Sequence, residues 1–302
     1  MLKTLVILTG PTGIGKTNVG IEIAQYFNTE IVSSDSRQIF KELHIGTAVP
    51  TKKELSAIPH HFIHSHSISE NYNASRYETE ALTLLEKLFE KHDIVLLVGG
   101  SMFYIDAVCK GIDVMPDVDP EIRNSLKTQL KKEGLESLRL QLKKLDPDYY
   151  AMVDLKNPTR IVHALEICIM TGKPYSSFRL NPNKKRPFSM IKIGLNCDRD
   201  ILHNRINKRV DQMIDAGLEK EAKNVYSQKN LNALNTVGYR EWFAYFDGEI
   251  SKEKAIELIK RNSRRYARKQ LTWFRKDEQM SWFEPNKAQQ IIAHIKNQIH
   301  KK

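Results

Sequence analysis

Residues Gly10 to Thr17 read GPTGIGKT and match the pattern G-x-x-x-x-G-K-[ST] at every position. The preceding run, Leu2 to Leu8, is apolar and rich in β-branched residues, which predicts a buried strand. Helical spacing follows over Val19 to Phe27. A strand, a glycine-rich turn and a helix in this order predict a phosphate-binding loop, because the amides of the turn and the helix N-terminus attract an anion.

Each part of this loop has an expected role. Backbone amides hold phosphate oxygens, Lys16 reaches the terminal phosphates, and the Thr17 hydroxyl binds the metal, with Mg²⁺ as the expected cofactor. The predicted diphosphate or triphosphate site comprises Gly10, Pro11, Thr12, Gly13, Ile14, Gly15, Lys16 and Thr17.

The composition sets limits on the class of protein. The chain has 302 residues, 41% of them hydrophobic, which suits one large globular domain or two unequal ones. No apolar run approaches the roughly 20 residues of a membrane span, and the apolar start is too short for a signal peptide. Its 3 cysteines are widely spaced and predict neither disulfides nor a zinc site. We expect a monomer in a reducing, cytoplasmic setting, with no membrane partner.

Further strands are predicted at three places. Short apolar runs lie at Glu30–Ser34, Asp93–Val98 and Met190–Leu195. Such runs between helical segments are typical of a parallel sheet whose two faces are covered. The sequence therefore predicts an α/β fold, in which a P-loop parallel sheet core is flanked by helices.

A helical segment interrupts this pattern. Residues 116–187 have helical spacing and almost no strand signal, and turn-forming residues lie at both ends. We predict an inserted all-helical subdomain at 116–187, with the core formed by 1–115 and 188–302. Beyond the insertion, Asp200 to Lys229 is also predicted to be helical.

Asp35 directly follows the second predicted strand. Ligands of open α/β sheets gather at the carboxyl ends of strands, so we expect Asp35 to face the same crevice as the phosphate loop. It is the candidate catalytic carboxylate. The alternative is a helix N-cap before Arg37, and the two roles are compatible.

The third predicted strand ends in Gly99-Gly100-Ser101. A nucleotide-hydrolysing P-loop protein usually has an acidic residue here that serves the Mg²⁺ shell. The absence of such a residue argues against an ordinary ATPase or GTPase.

Two polar clusters leave alternatives open. His60, His61, His64 and His66 could bind a metal or simply line a polar strand face. Arg205 and Arg209 lie four residues apart on one helical face, where they could meet an anion jointly or be solvated.

A strongly basic segment lies near the end of the chain. Ser251 to Lys276 contains ten Lys and Arg and two Glu, a net charge of +8 within a total of +11. Ser251 is the expected N-cap of a helix in which Ile256, Ile259, Tyr266 and Trp273 form the packed side. A stripe made by Lys260, Arg264 and Arg268 is either a solvated face or a surface for an RNA backbone.

Eight further motifs accompany the loop: SSDSRQIF (33–40), HIGTAVP (44–50), PHHFI (59–63), LVGGSMFYIDAV (97–108), TRIVHALEI (159–167), RINKRVDQMIDAGL (205–218), NTVGYREW (235–242) and YARKQLTWFR (266–275). Together they resemble the tRNA dimethylallyltransferases over nearly the whole chain. This family transfers a dimethylallyl group from dimethylallyl diphosphate to N6 of the adenine beside the anticodon. Val49 and His163 stand where the family usually has Lys and Arg.

The resemblance implies roles for individual residues. Asp35 would be the base acting on N6, and Lys16, Thr17 and Arg209 would complete the catalytic set, with Arg209 also binding diphosphate. The tRNA anticodon stem-loop would contact Asp35, Ser36, Arg37, Gln38, Ser101, Arg123, Thr159, Arg160, Ile161, Val162, His163, Val237, Gly238, Tyr239 and Arg240. The helical insertion would contact the anticodon stem-loop, and the basic C-terminal helix would hold phosphates.

Three other functions remain open from the residues. A P-loop small-molecule kinase would use the insertion as a lid but has no use for the basic segment. An isopentenyltransferase acting on free adenine nucleotides would share only the donor site. A nucleic-acid-binding nucleotide switch would need residues that sense a γ-phosphate, which the Gly-Gly-Ser strand end does not provide.

Overall fold

A single six-stranded parallel sheet organises the chain in a computed structural model that describes residues 3–113, 115–116, 118–180 and 183–300. The strands lie in the order β3-β2-β4-β1-β5-β6. They are β1 (Thr4–Thr9), β2 (Ile31–Ser33), β3 (His60–His61), β4 (Ile94–Gly99), β5 (Ser189–Leu195) and β6 (Met280–Phe283). The predicted α/β fold with a parallel sheet is confirmed.

Helices connect and cover these strands. The α-helices are α1 (Lys16–Tyr26), α2 (Lys52–Ala57), α3 (Ala74–Lys91), α4 (Met102–Lys110), α5 (Pro120–Leu145), α6 (Pro147–Met152), α7 (Pro158–Thr171), α8 (Arg199–Asp215), α9 (Leu218–Asn224), α10 (Tyr239–Phe246), α11 (Lys252–Phe274) and α12 (Ala288–His300). None of the helices in the described ranges has both the length and the apolar character that a membrane span requires.

The central strand β1 is buried along its whole length. Its Leu5 and Ile7 belong to an apolar cluster shared with α3 and α4, whereas Val6 and Leu8 belong to a second cluster shared with α1 and α12. Because successive side chains of a strand point to opposite faces, both faces of the sheet are covered, which explains the uninterrupted apolar sequence.

The segment predicted as one helical stretch from Asp200 to Lys229 is divided. Helix α8 ends at Asp215, and Gly217 has a left-handed φ of 99° before α9 begins at Leu218. A short 3₁₀ turn, Tyr226–Gln228, follows. Only glycine adopts this conformation without steric strain, so the prediction of a continuous helix is corrected at Gly217.

Two compact units divide the chain. One comprises 1–109 and 185–302, and the other comprises 110–184. Within the second unit, Leu138 and Leu142 of α5 are buried in one apolar cluster with Ile161 and Leu165 of α7.

The ends of the second unit are joined by a hydrogen bond from the Lys184 amide to the Lys110 carbonyl, 2.8 Å long. The domain boundaries at 116 and 187 stay predictions. Three residues of the predicted boundary stretches, Asp117, Asn181 and Pro182, lie outside the described residues, as does Leu2 at the start of the first predicted strand.

Arg186 anchors the chain where it re-enters the sheet unit. Its guanidinium donates to Glu78 Oε1 of α3 at 2.8 Å and to the carbonyls of Ala107 and Val108 in α4. Both charged side chains are less than 10% exposed. The ion pair and the two carbonyl hydrogen bonds therefore tie α3 and α4 to the chain just before β5.

Replacing Glu78 by Gln leaves a buried guanidinium without its counter-charge. We expect Glu78→Gln to lower the free energy of unfolding by about 3–5 kcal/mol. The matched control is Glu257→Gln, which removes one partner of an exposed ion pair and should change the free energy of unfolding only slightly. Urea denaturation of both variants measures the difference, and equal losses would contradict the assigned role.

Candidate functional site

A cavity of about 270 Å³ opens at the carboxyl edge of the sheet. It lies where β1, β2 and β4 end side by side, since Thr9 pairs with Gly99 and Ser33 pairs with Val98. Its lining comprises Thr12, Asp35, Ser36, Arg37, Gly46, Thr47, Ser101, Ile206, Arg209, Val210, Met213, Leu218, Asn235, Thr236, Val237, Gly238, Arg240, Ile259, Ser263 and Tyr266. Residues from all three strand ends and from α8 and α11 therefore meet in one space.

The phosphate loop has the backbone that its sequence predicts. Gly13 and Gly15 have φ of 80° and 101°, and a Cβ on Gly13 would lie 2.9 Å from Ile206 Cγ1. The amides of Gly13, Gly15, Lys16 and Thr17 donate to none of the described residues. Unpaired amides at a helix N-terminus form an anion site.

The Lys16 ammonium folds over this loop. It donates to the carbonyls of Gly10 and Pro11, at 3.0 Å each. Burial, and then the nearby Arg209 charge, lower the Lys16 pKa to about 8, against the opposing effect of Asp35. A diphosphate placed at the loop amides would supply the negative charge that this ammonium lacks.

Asp35 is held by the turn that follows β2. Its Oδ1 accepts hydrogen bonds from the amides of Arg37, at 2.9 Å, and Gln38, at 3.2 Å. Residues 36–39 form turns and no helix, so the N-cap alternative is corrected to the cap of a turn. No described residue bonds to Asp35 Oδ2, which leaves one carboxylate oxygen for a ligand in the cavity.

Ser101 and Ser36 join the ends of β4 and β2. The Ser101 hydroxyl accepts from the Ser36 amide at 2.8 Å and donates to the Ser36 hydroxyl at 3.1 Å. Both residues line the cavity next to Asp35. These bonds fix the Ser101 side chain in the cavity wall next to Asp35.

Positive charge surrounds the carboxylate. Burial lowers the pKa of the Arg209 guanidinium, and Asp35 acts against that shift. Burial also lowers the Arg37 pKa. Arg240 lines the same cavity, so the site combines one carboxylate with three guanidinium groups and is suited to an anionic ligand.

Tyr266 forms part of the cavity wall and not of the packed side of α11. Its side chain lines the cavity and is 36% exposed, which corrects the prediction from helical spacing, whereas Ile259 is buried as predicted. Burial in the cavity, and then the Asp35 charge, raise the Tyr266 pKa to about 12, so the phenol keeps its proton.

Two predicted RNA-contact residues of the sheet unit point elsewhere. The Gln38 side chain donates to the carbonyls of Thr47 and Ala48, and so supports the cavity wall from behind. Tyr239 is fully buried and donates to Glu221 Oε1 at 2.6 Å. Because the Tyr239 side chain is buried, only its backbone groups are available for contact with RNA. The sequence motif indicates the position of a residue but not the direction of its side chain.

Val237 and Gly238 line the cavity. The predicted contacts Arg123 and residues 159–163 lie in the helical unit. Arg123 forms a bidentate ion pair with Glu166, and His163 Nδ1 lies 3.4 Å from the same carboxylate. Burial raises the Glu166 pKa, but the hydrogen bonds of His163 and Arg123 outweigh it and lower the pKa to about 2. His163 therefore has a structural partner within its own unit.

Residues 159–162 split between surface and core. Thr159 and Arg160 are exposed in the first turn of α7. Ile161 and Val162 are buried in the apolar cluster of this unit, so their side chains are core residues. The helical period of α7 accounts for this division.

The histidine cluster is distributed among separate partners. His61 bonds to Glu30, His66 lies 3.4 Å from Glu80, and His64 stacks on His44. Within the described ranges, no group of three or more His, Cys, Asp or Glu has the arrangement of a metal site.

Magnesium has a suitable partner at the loop. Mg²⁺ takes oxygen ligands, few of them from protein and the others from phosphates and water. Thr17 lies in the first turn of α1 next to the unpaired loop amides, and its hydroxyl bonds to no described residue. One hydroxyl oxygen beside a diphosphate site fits this coordination.

The basic helix contributes differently from its predicted stripe. Lys260 pairs with Asp211 and Arg264 bonds to Asn207, so these two side chains attach α11 to α8. Arg268 is exposed. The stripe is thus partly a packing surface.

Gln270 is a site residue that sequence reasoning missed. It is 2% exposed, its Oε1 accepts from the Thr12 amide, and its Nε2 donates to the Gly100 carbonyl, both at 2.8 Å. It therefore links the phosphate loop to the turn that carries Ser101. The sequence signal for this residue was its neutral amide side chain within the basic segment 251–276.

Glu221 is a second missed residue. Its carboxylate accepts from the amides of His44, Ile45 and Gly46, at 2.7–3.0 Å, and from the Tyr239 hydroxyl. Because Gly46 lines the cavity, Glu221 fixes that wall from outside.

The fold and the site define an α/β protein with a P-loop, in which Gly100 and Ser101 follow β4 at the place where many P-loop proteins have an acidic metal ligand. The family model described as IPP transferase matches residues 38–277. The chain belongs to the IPP transferase family.

Individual proteins are similar over nearly the full length. The tRNA dimethylallyltransferase 1 of Bacteroides fragilis is 54% identical over 297 residues, covering 98% of this chain and 99% of that protein. The tRNA dimethylallyltransferase 1 of Bacteroides thetaiotaomicron is 52% identical over 297 residues, covering 98% of this chain and 96% of that protein.

Solved structures of relatives have the same fold. The tRNA isopentenylpyrophosphate transferase of Bacillus halodurans superposes with a TM-score of 0.73 at 34% identity, covering 99% of this chain and 97% of that one. A eukaryotic dimethylallyltransferase described as acting on tRNA gives a TM-score of 0.82 at 25% identity, covering 99% of this chain and 80% of that one.

The lowered pKa of Lys16 predicts a pH effect on anion binding. Between about pH 7 and pH 9 the free ammonium loses its proton, so affinity for inorganic diphosphate should fall about tenfold. In Lys16→Arg the side chain stays charged throughout this range, so the only remaining effect of pH on affinity should come from the ionisation of diphosphate itself. Isothermal titration across this range measures both, and identical pH slopes would contradict the assignment.

Gln270 supplies a second test of the loop. Gln270→Glu keeps an acceptor for the Thr12 amide but loses the donor to Gly100 and adds a negative charge beside the diphosphate site. We expect at least a roughly tenfold weaker affinity for inorganic diphosphate. Gln289→Glu adds the same charge at an exposed position of α12 and should change little. Equal affinities of the two variants would exclude the linking role.

Proposed function

We propose that this chain transfers a dimethylallyl group from dimethylallyl diphosphate to N6 of the adenine 3′ to the anticodon of tRNA. The products are N6-(dimethylallyl)adenosine and diphosphate. One observation carries the proposal: the Asp35 carboxylate with one free oxygen, the Ser101 hydroxyl and the Arg209 guanidinium all line a single cavity at the strand ends. The names of the relatives support the substrates.

The donor binds through its diphosphate. The unpaired amides of the loop and the helix N-terminus hold phosphate oxygens, with Lys16 and Arg209 supplying positive charge. Magnesium, held by Thr17 and the donor's own oxygens, would add further positive charge at the leaving group. This set of groups binds diphosphate without the acidic residue after β4 that nucleotide-hydrolysing P-loop proteins usually have.

In the reaction the bond between the allylic carbon and the diphosphate oxygen breaks, and a bond from that carbon to adenine N6 forms. The oxygen pair of the broken bond leaves with diphosphate, so negative charge grows there. Lys16 and Arg209 stabilise this charge, and because they are partly buried their effect is stronger than in water.

Asp35 receives the proton that N6 loses. The N6 lone pair is delocalised into the ring, so N6 is a weak nucleophile until a base orients it and accepts its proton. The turn amides fix Oδ1, which leaves Oδ2 to bond to N6. A positioned base contributes typically about 10²- to 10⁴-fold.

The adenine reaches this cavity only after it leaves the RNA stack. Single-stranded anticodon loops allow such extrusion at modest free-energy cost. Ser36, Arg37, Ser101 and Arg240 line the space that the base would enter. In the helical unit, Arg123, Thr159, Arg160 and the insertion as a whole are proposed contacts of the anticodon stem-loop.

The acceptor is tested by incubating the protein with Mg²⁺, labelled dimethylallyl diphosphate and either an anticodon stem-loop or AMP. Nucleoside mass analysis then locates the label. The proposal requires label on N6 of the adenine 3′ to the anticodon. Label on AMP alone would indicate the free-nucleotide enzyme, and consumption of ATP without transfer would indicate the kinase.

Asp35→Asn tests the role of the carboxylate. The Asn oxygen still accepts from the Arg37 and Gln38 amides, so the turn is preserved, but the side chain no longer accepts a proton. We expect kcat to fall about 10²- to 10⁴-fold while the Kd for the stem-loop changes only a few-fold. Single-turnover kinetics and fluorescence anisotropy measure the two quantities. Turnover close to that of the wild type would contradict the role of Asp35 as the base.

A further inference from the structure

Phe103 is an aromatic side chain exposed beside the cavity. It lies in the first turn of α4, two residues after the cavity residue Ser101, and 62% of it is exposed. The neighbouring Tyr104 and Ile105 of the same turn are buried. The mechanism described above uses neither the ring nor its position.

Trp273 of α11 holds the Phe103 ring from the side. The two ring centroids are 5.3 Å apart and the planes are inclined by 69°, an edge-to-face contact. The Trp273 indole is itself fixed, because its Nε1 donates to Asp106 Oδ2 at 2.9 Å. An exposed ring that is already ordered loses little freedom when a ligand stacks on it.

The pair lies along a basic helix that leads away from the cavity. Tyr266, Gln270 and Trp273 follow one another on one face of α11, at spacings of four and three. Tyr266 lines the cavity, and Trp273 is about 10 Å further along the helix axis. Arg265, Arg268 and Lys269 of this helix are exposed, and Lys276 lies 5.9 Å from the Trp273 ring centroid.

We infer that Phe103, supported by Trp273, is a stacking site for the unpaired base next to the adenine that enters the cavity. The inference rests on the proposed function, because extrusion of the adenine removes a stacking partner from its neighbour in the loop. Aromatic side chains bind unpaired bases through their faces, and nearby cations hold the connecting phosphates. The net positive charge of α11 favours this polyanion over a protein partner.

The test compares Phe103→Ala, Phe103→Leu and Phe103→Tyr. Fluorescence anisotropy with a labelled anticodon stem-loop should show about 5- to 150-fold weaker binding for Phe103→Ala, the usual range for one base stacked on an aromatic ring. Phe103→Tyr keeps the ring and should bind like the wild type. Phe103→Leu keeps apolar volume without a ring, so its affinity for the stem-loop should stay well below that of the wild type. The inference would be overturned if all three variants bound the stem-loop with the wild-type affinity.

A second measurement removes the base from the RNA. Stem-loops with an abasic site on either side of the target adenine should lose affinity for the wild type at one of the two positions. At that position Phe103→Ala should lose no further affinity. Independent losses at both positions would mean that Phe103 contacts no flanking base and would overturn the inference.

Two controls separate this inference from the proposed function. Inorganic diphosphate should bind all Phe103 variants with the wild-type affinity, since Phe103 belongs to α4 and not to the phosphate loop, and its ring is 62% exposed. If the wild type labels the stem-loop but Phe103→Ala binds it unchanged, only the stacking site fails. If the wild type neither binds nor labels the stem-loop, the proposed function fails as well.

Discussion

The hydrogen-bonded register of β2, β4 and β1 is the constraint on which the site depends. It brings Asp35, Ser101 and the phosphate loop to one edge although they are far apart in sequence. Because parallel strands in α/β sheets are buried on both faces, their ends cannot shift without disturbing two apolar clusters. Gln270 then fixes the loop against the β4 turn through its two hydrogen bonds.

Charge decides what this edge accepts. Arg209, Arg37 and the Lys16 ammonium lie near a single carboxylate, and burial lowers the pKa of each cation. Such a group of cations is stabilised by an anion, which agrees with a diphosphate donor and an RNA acceptor. Ser101 at the end of β4 adds a neutral hydroxyl where hydrolytic P-loop proteins have an acid, so the edge favours transfer to a positioned nucleophile.

The sequence was sufficient for the parts of the site that follow from local rules. Gly13 and Gly15 require a glycine-rich loop, and Asp35 follows a strand whose carboxyl end must face the ligand. The bonding partners of Gln270 and Glu221 were not predictable, because each side chain binds backbone groups about 170 or more residues away in sequence. Motif matching likewise could not give side-chain direction, so Ile161 and Tyr239 were expected at RNA but lie in the core.

The central claim is that donor and acceptor meet in one cavity beside Asp35. A crystal structure of the protein with diphosphate, Mg²⁺ and an anticodon stem-loop tests it most directly. The account predicts diphosphate against the loop amides, Lys16 and Arg209, and an extruded adenine whose N6 lies within hydrogen-bond distance of Asp35 Oδ2. An adenine that stays stacked in the RNA, or one that is extruded but bound away from Asp35, would contradict it.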